Sequence, residues 1–362
     1  MYGTNITGLI LAGGAGTRLR PFSYVRPKPM MPVINKPLLQ YQIELLRGYG
    51  ISEIVLCLGR EHTEVVRFFG DGHELGVNIS YSIEETPLGT AGAIRNAEQY
   101  IRNDTVLAMN GDGILDFDLS ELADFHSAKH AEATIGLVHV PKPTPCGVVV
   151  RDDDSRIRAF QEPDRDLKRS LGSQAVTSTE TATVNAGIYV ISRAAILSMD
   201  PGVEISIEKQ FFPALISDGV AVFGHVLDGY WIDIGSPQTY LQANMDLLSG
   251  KTLACLPGET VASGYRVQGT VCVDATAQVA STVVLGDAVK IGARVRIGEL
   301  TSIGSGCIIS DGADVEGSVL LENVKIGSGS HIRGCVIDRD SEVGEGVSLG
   351  SRSIIGAGSR II

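Results

Sequence analysis

The chain has 362 residues, enough for two domains that each bury a core. Its 44% hydrophobic and 20% charged residues are ordinary for a globular protein, and a net charge of −12 argues against nucleic acid as a partner, because proteins that bind it carry basic patches. Six scattered cysteines without a C-x-x-C read as small buried apolar residues of a reducing compartment. With no leader pattern and no apolar run near about 18 residues, a cytoplasmic protein without a membrane partner is expected.

The apolar run from Ile6 to Leu11 predicts a buried first strand. It leads into Leu11-Ala12-Gly13-Gly14-Ala15-Gly16-Thr17-Arg18-Leu19-Arg20-Pro21. Glycines let a backbone approach a ligand closely and turn its N–H groups inward, while arginine adds a permanent forked charge suited to phosphate. A strand ending in such a loop suits a polyphosphate. The P-loop pattern is absent, and so is the third glycine of the dinucleotide fingerprint. Arg18, Arg20, Arg26 and Lys28 concentrate positive charge within eleven positions of an otherwise acidic chain.

Further strands are predicted at 53–58, 78–83, 105–109, 133–140 and 184–190, alternating with helical patterns, which indicates an α/β sheet. A helix should begin near Pro37, with Leu39, Ile43 and Leu46 on one buried face and Gly48 and Gly50 at its end. Asp116 and Asp118 read as turn and N-cap residues before a helix over 119–129. Residues 164–183 are polar and read as a mobile loop beside the site.

From about residue 260 aliphatic residues recur every six positions: Val273, Val279, Leu285, Ile291, Ile297, Ile303, Ile309, Val315 and Leu321. The phase resumes after shorter steps at Ile326, Ile332 and Ile337, then continues through Val343, Leu349, Ile355 and Ile361. A six-residue period is the signature of a parallel β-helix, three steps to a coil, and about five coils fit. The expected division is a first domain over 1–245, a linker over 246–262 and a β-helix over 263–362, the last a surface for homo-oligomer contacts.

Residues 10–37, with Arg26-Pro27-Lys28-Pro29 and Pro32-Val33-Ile34-Asn35-Lys36-Pro37, resemble the opening signature of the sugar-1-phosphate nucleotidyltransferases. Further segments match in order: 87–93, Asn110-Gly111-Asp112, 147–149, Asn185-Ala186-Gly187-Ile188-Tyr189, 206–209 and 229–237. The resemblance covers roughly 1–250 and extends to the hexapeptide tail. It implies a Rossmann-like mixed sheet followed by a left-handed parallel β-helix. It also implies a reaction in which NTP and a sugar 1-phosphate give NDP-sugar and pyrophosphate.

The same resemblance implies the site. Leu11, Ala12, Gly13, Gly14, Gly16 and Thr17 would hold the nucleotide phosphates, Arg18 the departing pyrophosphate, and Lys28 the α-phosphate or the incoming phosphate. Asp112 and Asp233 would share one Mg²⁺. Asn110, Gly111, Gly89 and Thr90 would contact the nucleotide, and Glu85, or else Glu84, would accept from the base. The Gly89-Thr90-Ala91-Gly92 form and Asn35-Lys36-Pro37 lean toward GTP, with dTTP, UTP or ATP as alternatives. A non-catalytic nucleotide-sugar-binding subunit is the alternative of a different class. Gly147, Glu162 and Asn185 match sugar-phosphate positions. Two departures stand out. Phe160-Gln161-Glu162-Pro163 lacks the lysine that the family carries after its glutamate, leaving Arg158, Arg165 or Lys168 as substitutes; Cys146 stands where a tyrosine is usual. These departures admit a modified sugar or a cyclitol 1-phosphate as acceptor.

Overall fold

Six consecutive residues with no polar alternation make a strand buried on both faces, and Ile6–Leu11 is that strand, with Leu9 and Ile10 fully buried. A computed structural model describes residues 5–14, 16–141, 147–161 and 181–362. The chain divides into two compact units. The first comprises Met1–Gly14, Gln42–Gly111 and Phe117–Trp231; the second comprises Ala15–Tyr41, Asp112–Asp116 and Ile232–Ile362.

Among the described residues the first unit is built on a mixed sheet of nine strands. Ile6–Leu11 lies between Glu53–Leu58 and Thr105–Asn110 and runs parallel to both; Asn78–Ile83 extends the parallel set. Thr181–Ser192 is antiparallel to Thr105–Asn110 and continues to Ala133–Pro141, which Val222–Val226 joins in parallel. Leu9, Val55, Ala108, Tyr189 and Phe212 belong to one core cluster between the sheet and its helices. The helix predicted near Pro37 spans Leu38–Gly48, and Asp118 caps Leu119–Ala128 by accepting from the N–H groups of Ser120 and Glu121.

Three expectations are corrected. Residues 181–183 are strand, not loop; the rest of the expected loop, 164–180, lies outside the described residues. Asp116 is no turn residue: it lies in the strand Gly113–Phe117, paired with Gly229–Asp233, and accepts from Leu253 N–H at 2.5 Å. Cys255 and Cys272 are exposed, whereas Cys57, Cys307 and Cys335 are buried as expected.

The second unit carries a parallel β-helix of three sheets. Each coil places the aliphatic residue of one turn over that of the next, as Ile291 over Ile309 and Ile297 over Val315, eighteen positions apart. One detail differs from the sequence reading. Ile303 pairs with Leu320 and Leu320 with Ile337, so the axial residue is Leu320, not Leu321, and the short step falls between Val315 and Leu320, one step earlier than the expected one from Leu321 to Ile326. Both Leu320 and Leu321 are buried, which is why the period alone did not separate them.

The segment 16–41 belongs to this unit too. Its Ile34 and Asn35 adopt left-handed backbone angles in the tight turn between Pro32–Val33 and Lys36–Pro37. The turn is fixed from the helix Pro237–Leu248, where Asn244 Oδ1 accepts from Ile34 N–H at 2.9 Å and the Tyr240 hydroxyl donates to Pro32 O. Among the described residues no helix is long and apolar enough to cross a membrane.

Candidate active site

In open α/β sheets, ligands bind beyond the carboxyl ends of the parallel strands. In the first unit those ends are Leu11, Leu58, Ile83 and Asn110. The chain beyond Leu11 stays close to its neighbours: Ala12 N–H donates to Cys57 O at 2.8 Å and Gly111 N–H to Leu11 O at 2.7 Å. A Cβ on Gly111 would stand 2.7 Å from Leu11 O, so this crossing requires glycine. Gly13 and Gly14 are exposed, and a Cβ on Gly14 would meet no protein atom.

After Ile83, Glu84 turns inward and accepts from Leu88 N–H at 2.9 Å; burial raises its carboxyl above the ordinary range. Glu85 is exposed, its carbonyl accepting from Arg60 Nε at 2.6 Å. Of the two candidates, Glu85 is the more exposed, while the half-buried Glu84 has Oε1 3.4 Å from where a Cβ on Gly13 would stand. Gly89 and Thr90 open the helix Gly89–Asn96. Each is anchored on one side, the exposed Thr90 by its hydroxyl, which accepts from Ile207 N–H at 2.8 Å, and Gly89 by its backbone, where a Cβ would stand 2.6 Å from Ile205 O.

Asn185 sits at a bulge of Thr181–Ser192, where the pairing register slips between Asn185 and Ile188. Its amide donates to Tyr189 Oη at 2.9 Å and to Glu208 Oε1 at 2.5 Å, and its oxygen accepts from Gly187 N–H. Gly187 has φ +75°, and a Cβ there would lie 2.5 Å from Asn110 Nδ2, so Asn110 and the bulge are close neighbours. In the sequence Glu208 stands out only as part of the matching segment 206–209. Its pairing with Asn185 follows from the π-helical turn Ile207–Phe211, which the sequence pattern did not signal. Gly147 is exposed; Glu162, Arg165, Lys168 and Cys146 lie outside the described residues. Arg158 is held by Asp152, whose Oδ2 accepts from Nε at 2.8 Å and pairs with Nη2 at 2.5 Å.

The second unit brings four candidates together. Lys28 Nζ stands 3.1 Å from Asp112 Oδ2 and 3.8 Å from Asp233 Oδ1, and Arg18 Nη2 lies 3.7 Å from Asp233 Oδ2. The two aspartate oxygens facing Lys28 are thus no more than about 7 Å apart. Ile234 N–H donates to Asp112 O at 3.0 Å, which ties the two carboxylate-bearing segments together. Lys28 is fixed in a short turn between two prolines, closed by Met30 N–H to Pro27 O and Met31 N–H to Lys28 O. Arg18 is exposed, with its guanidinium against Gly235, where a Cβ would stand 3.1 Å from Nη1. Gly16, with φ +59°, leaves room for Lys28, since a Cβ there would lie 3.1 Å from Lys28 Cβ.

The four clustered basic residues therefore divide. Arg18 and Lys28 face carboxylates of the candidate site, Arg20 stacks over the Tyr24 ring at 4.8 Å, and Arg26 pairs with Glu322. Asn35 and Lys36, read as a leaning toward GTP, donate instead to Ile303 O and Cys255 O.

Residues 7–250 match the family profile described as Nucleotidyl transferase. The chain belongs to that family. Residues 267–361 match the profile described as GMPPB C-terminal domain. A mannose-1-phosphate guanylyltransferase of Mycobacterium tuberculosis is 37% identical over 68% of this chain; the match takes in 65% of that relative's length. A mannose-1-phosphate guanyltransferase of Candida albicans is 35% identical over 96% of this chain and 90% of its own. The crystal structure of HddC from Yersinia pseudotuberculosis complexed with GMP-PN is 29% identical with a TM-score of 0.54, covering 66% of this chain and 97% of that one.

Nucleotidyl transferases of this family generally use a divalent metal. The residues present fit one. Asp233 Oδ1 is buried without a hydrogen-bond partner among the described residues, and its carboxyl is raised above the ordinary range, first by burial and then by Asp112, against the opposing pull of Lys28 and Arg18. An orphaned carboxylate oxygen beside a second carboxylate is a hard-oxygen donor set. Among the described residues no group of three or more His, Cys, Asp or Glu side chains converges. Two carboxylates, with phosphate oxygens and water completing the shell, suit a divalent cation.

Proposed function

We propose that the protein is a Mg²⁺-dependent guanylyltransferase that joins GTP to mannose 1-phosphate or a closely similar hexose 1-phosphate, releasing pyrophosphate. The observation that carries this reading is the ionic cluster of Arg18, Lys28, Asp112 and Asp233. The activity for which the Mycobacterium and Candida relatives are named supports the choice of GTP and mannose 1-phosphate.

The chemistry follows from charge. A sugar phosphate has its second pKa at about 6, so at neutral pH the attacking oxygen is already anionic and no general base is needed. The barrier is the meeting of two anions and the charge gathering on the leaving pyrophosphate. Positioned cations lower it. Lys28, held buried, meets the α-phosphate or the incoming phosphate. Arg18, exposed, meets the departing pyrophosphate. The N–H groups of Gly13, Gly14 and Gly16, with the Thr17 hydroxyl, cradle the β- and γ-phosphates. Asp112 and Asp233 would hold Mg²⁺, which supplies further neutralisation of the phosphate oxygens. Asn110, Gly111, Gly89 and Thr90 line the nucleotide, Glu85 accepts from the guanine edge, and Gly147, Glu162 and Asn185 take the sugar side. The β-helix, with Ile308 exposed between Lys290 and Lys325 on one of its sheets, serves contact with a second copy.

The deciding experiment is pyrophosphate release over a grid of NTPs and sugar 1-phosphates with Mg²⁺. Release with GTP and mannose 1-phosphate above every other pair supports the assignment. Tight binding of nucleotide-sugar with no release under any pair establishes the non-catalytic reading instead.

A further inference from the structure

Between Val25 and Lys36 the chain is stitched to the β-helix and the segment leading into it, all within the second unit. Arg339 Nη2 donates to Val25 O at 3.0 Å, Asn35 Nδ2 to Ile303 O at 2.9 Å, and Lys36 Nζ to Cys255 O at 2.9 Å. The strongest of these ties is Arg26. Its side chain is only 7% exposed, and Nη2 reaches both Glu322 oxygens at 3.0 Å. Asp338, on the next coil, is buried nearby and feels the Arg26 charge. Among the described residues the carboxylate that Arg26 meets is Glu322 of the β-helix, not Asp112 or Asp233.

Arg26 is two residues from Lys28. The link is stiff: Pro27 and Pro29 flank Lys28, and the turn is closed at both ends by backbone hydrogen bonds. Backbone rotation between Arg26 and Lys28 is therefore restricted, and a shift at Arg26 is passed on toward Lys28. We propose that Arg26 is a positioning residue for catalysis: locked onto Glu322 of the β-helix, it sets where Lys28 Nζ stands against Asp112 and Asp233. The β-helix is then part of the machinery that aligns the catalytic lysine, in addition to any contact with a second copy. This rests on the reading of Lys28 as the group that meets substrate phosphate. Misplacing a positioned group by about 1 Å costs on the order of 10²-fold in rate.

The test is steady-state kinetics of full-length Arg26→Met, Arg26→Lys, Glu322→Gln and Lys28→Ala with GTP, mannose 1-phosphate and Mg²⁺, together with amide hydrogen exchange over residues 22–33. Arg26→Met should lower kcat about 10–100-fold with both KM values within about twofold, because the side chain touches neither substrate. Exchange over 22–33 should rise. Arg26→Lys should recover part of the rate. The double variant Arg26→Met/Glu322→Gln should be no worse than Arg26→Met alone, since both remove one interaction. A kcat for Arg26→Met within about threefold of wild type, while Lys28→Ala is severely impaired, overturns the inference. Full activity in Lys28→Ala would instead remove the reading of Lys28 on which it rests. If Arg26→Met does not fold, Glu322→Gln decides. It keeps the side-chain shape at a half-exposed position, and a wild-type kcat there overturns the inference, whereas a several-fold fall with flat KM supports it.

Discussion

Lys28 Nζ lies 3.1 Å from Asp112 Oδ2 although the lysine side chain is 9% exposed and the aspartate 42%. A buried cation is thus aimed outward at a carboxylate that solvent and ligands can reach. Burial removes the lysine's freedom to wander, so its charge is delivered to one place. That is the geometry of a preorganised electrostatic group and unlike that of a surface lysine.

The first prediction follows directly. Lys28→Ala should lower kcat by about 10²–10³-fold, the range seen when one preorganised donor is lost. Arg18→Ala should fall in the same range if its charge acts on the leaving group. Pyrophosphate release at saturating GTP measures both. Losses below about tenfold in each would take the pair out of the mechanism.

The second concerns metal. Chelation should abolish turnover and Mg²⁺ should restore it. Asp233→Asn should weaken the apparent Mg²⁺ affinity by at least about tenfold, because it removes charge from the orphaned buried oxygen. Mn²⁺ binding followed by electron paramagnetic resonance reads the affinity without turnover. Equal Mn²⁺ affinities in wild type, Asp112→Asn and Asp233→Asn would separate the aspartates from the metal.

Much of this arrangement was legible in the sequence, and the exceptions share a cause. Ile6–Leu11 and Glu53–Leu58 were readable because a strand covered on both faces is an unbroken apolar run. The β-helix was readable because one residue in six must point to its axis. Gly113–Phe117 was missed because Gly-Ile-Leu-Asp-Phe alternates poorly and begins beside the site, where a turn was expected. Glu208 was missed because its function depends on the fold carrying it to Asn185. Arg26 groups with Arg18, Arg20 and Lys28 in the sequence because the four lie within eleven positions; its partner Glu322 is 296 positions away. Local pattern reveals elements and motifs, whereas a charge's partner is a tertiary fact.

A third prediction concerns Asp338 and pH. Burial raises its carboxyl above the ordinary range, and Arg26 only partly offsets this. The ionised form is therefore less favourable in the folded protein than in the unfolded chain. The stability this group contributes is complete below the unfolded carboxyl range, about pH 4, and is lost as pH rises through the raised folded value. Asp338→Asn keeps the shape and the acceptor that Arg339 N–H uses at 2.7 Å. Its advantage in urea midpoint over wild type should be near zero below about pH 4, grow with pH and then level off. A constant difference across that range would contradict the assignment.

The last prediction separates two glycines of one loop. Gly16 has φ +59°, and a methyl there would lie 3.1 Å from Lys28 Cβ and 3.6 Å from Ser23 Cβ. Gly16→Ala should therefore cost about 1 kcal/mol or more from the left-handed backbone alone and disturb Lys28 as well, lowering both melting temperature and kcat. Gly14 has no positive φ, and a methyl there would meet no protein atom within 4 Å. Gly14→Ala should leave the melting temperature unchanged. What the methyl would meet is the ligand. If the Gly14 N–H approaches the polyphosphate closely, the KM for GTP should rise at least about tenfold with kcat reduced less. Isothermal titration with GTP and Mg²⁺ reads the same loss without turnover. An unaltered GTP affinity in Gly14→Ala would mean that the loop holds its phosphates elsewhere, with Gly14 needed for neither the fold nor the ligand.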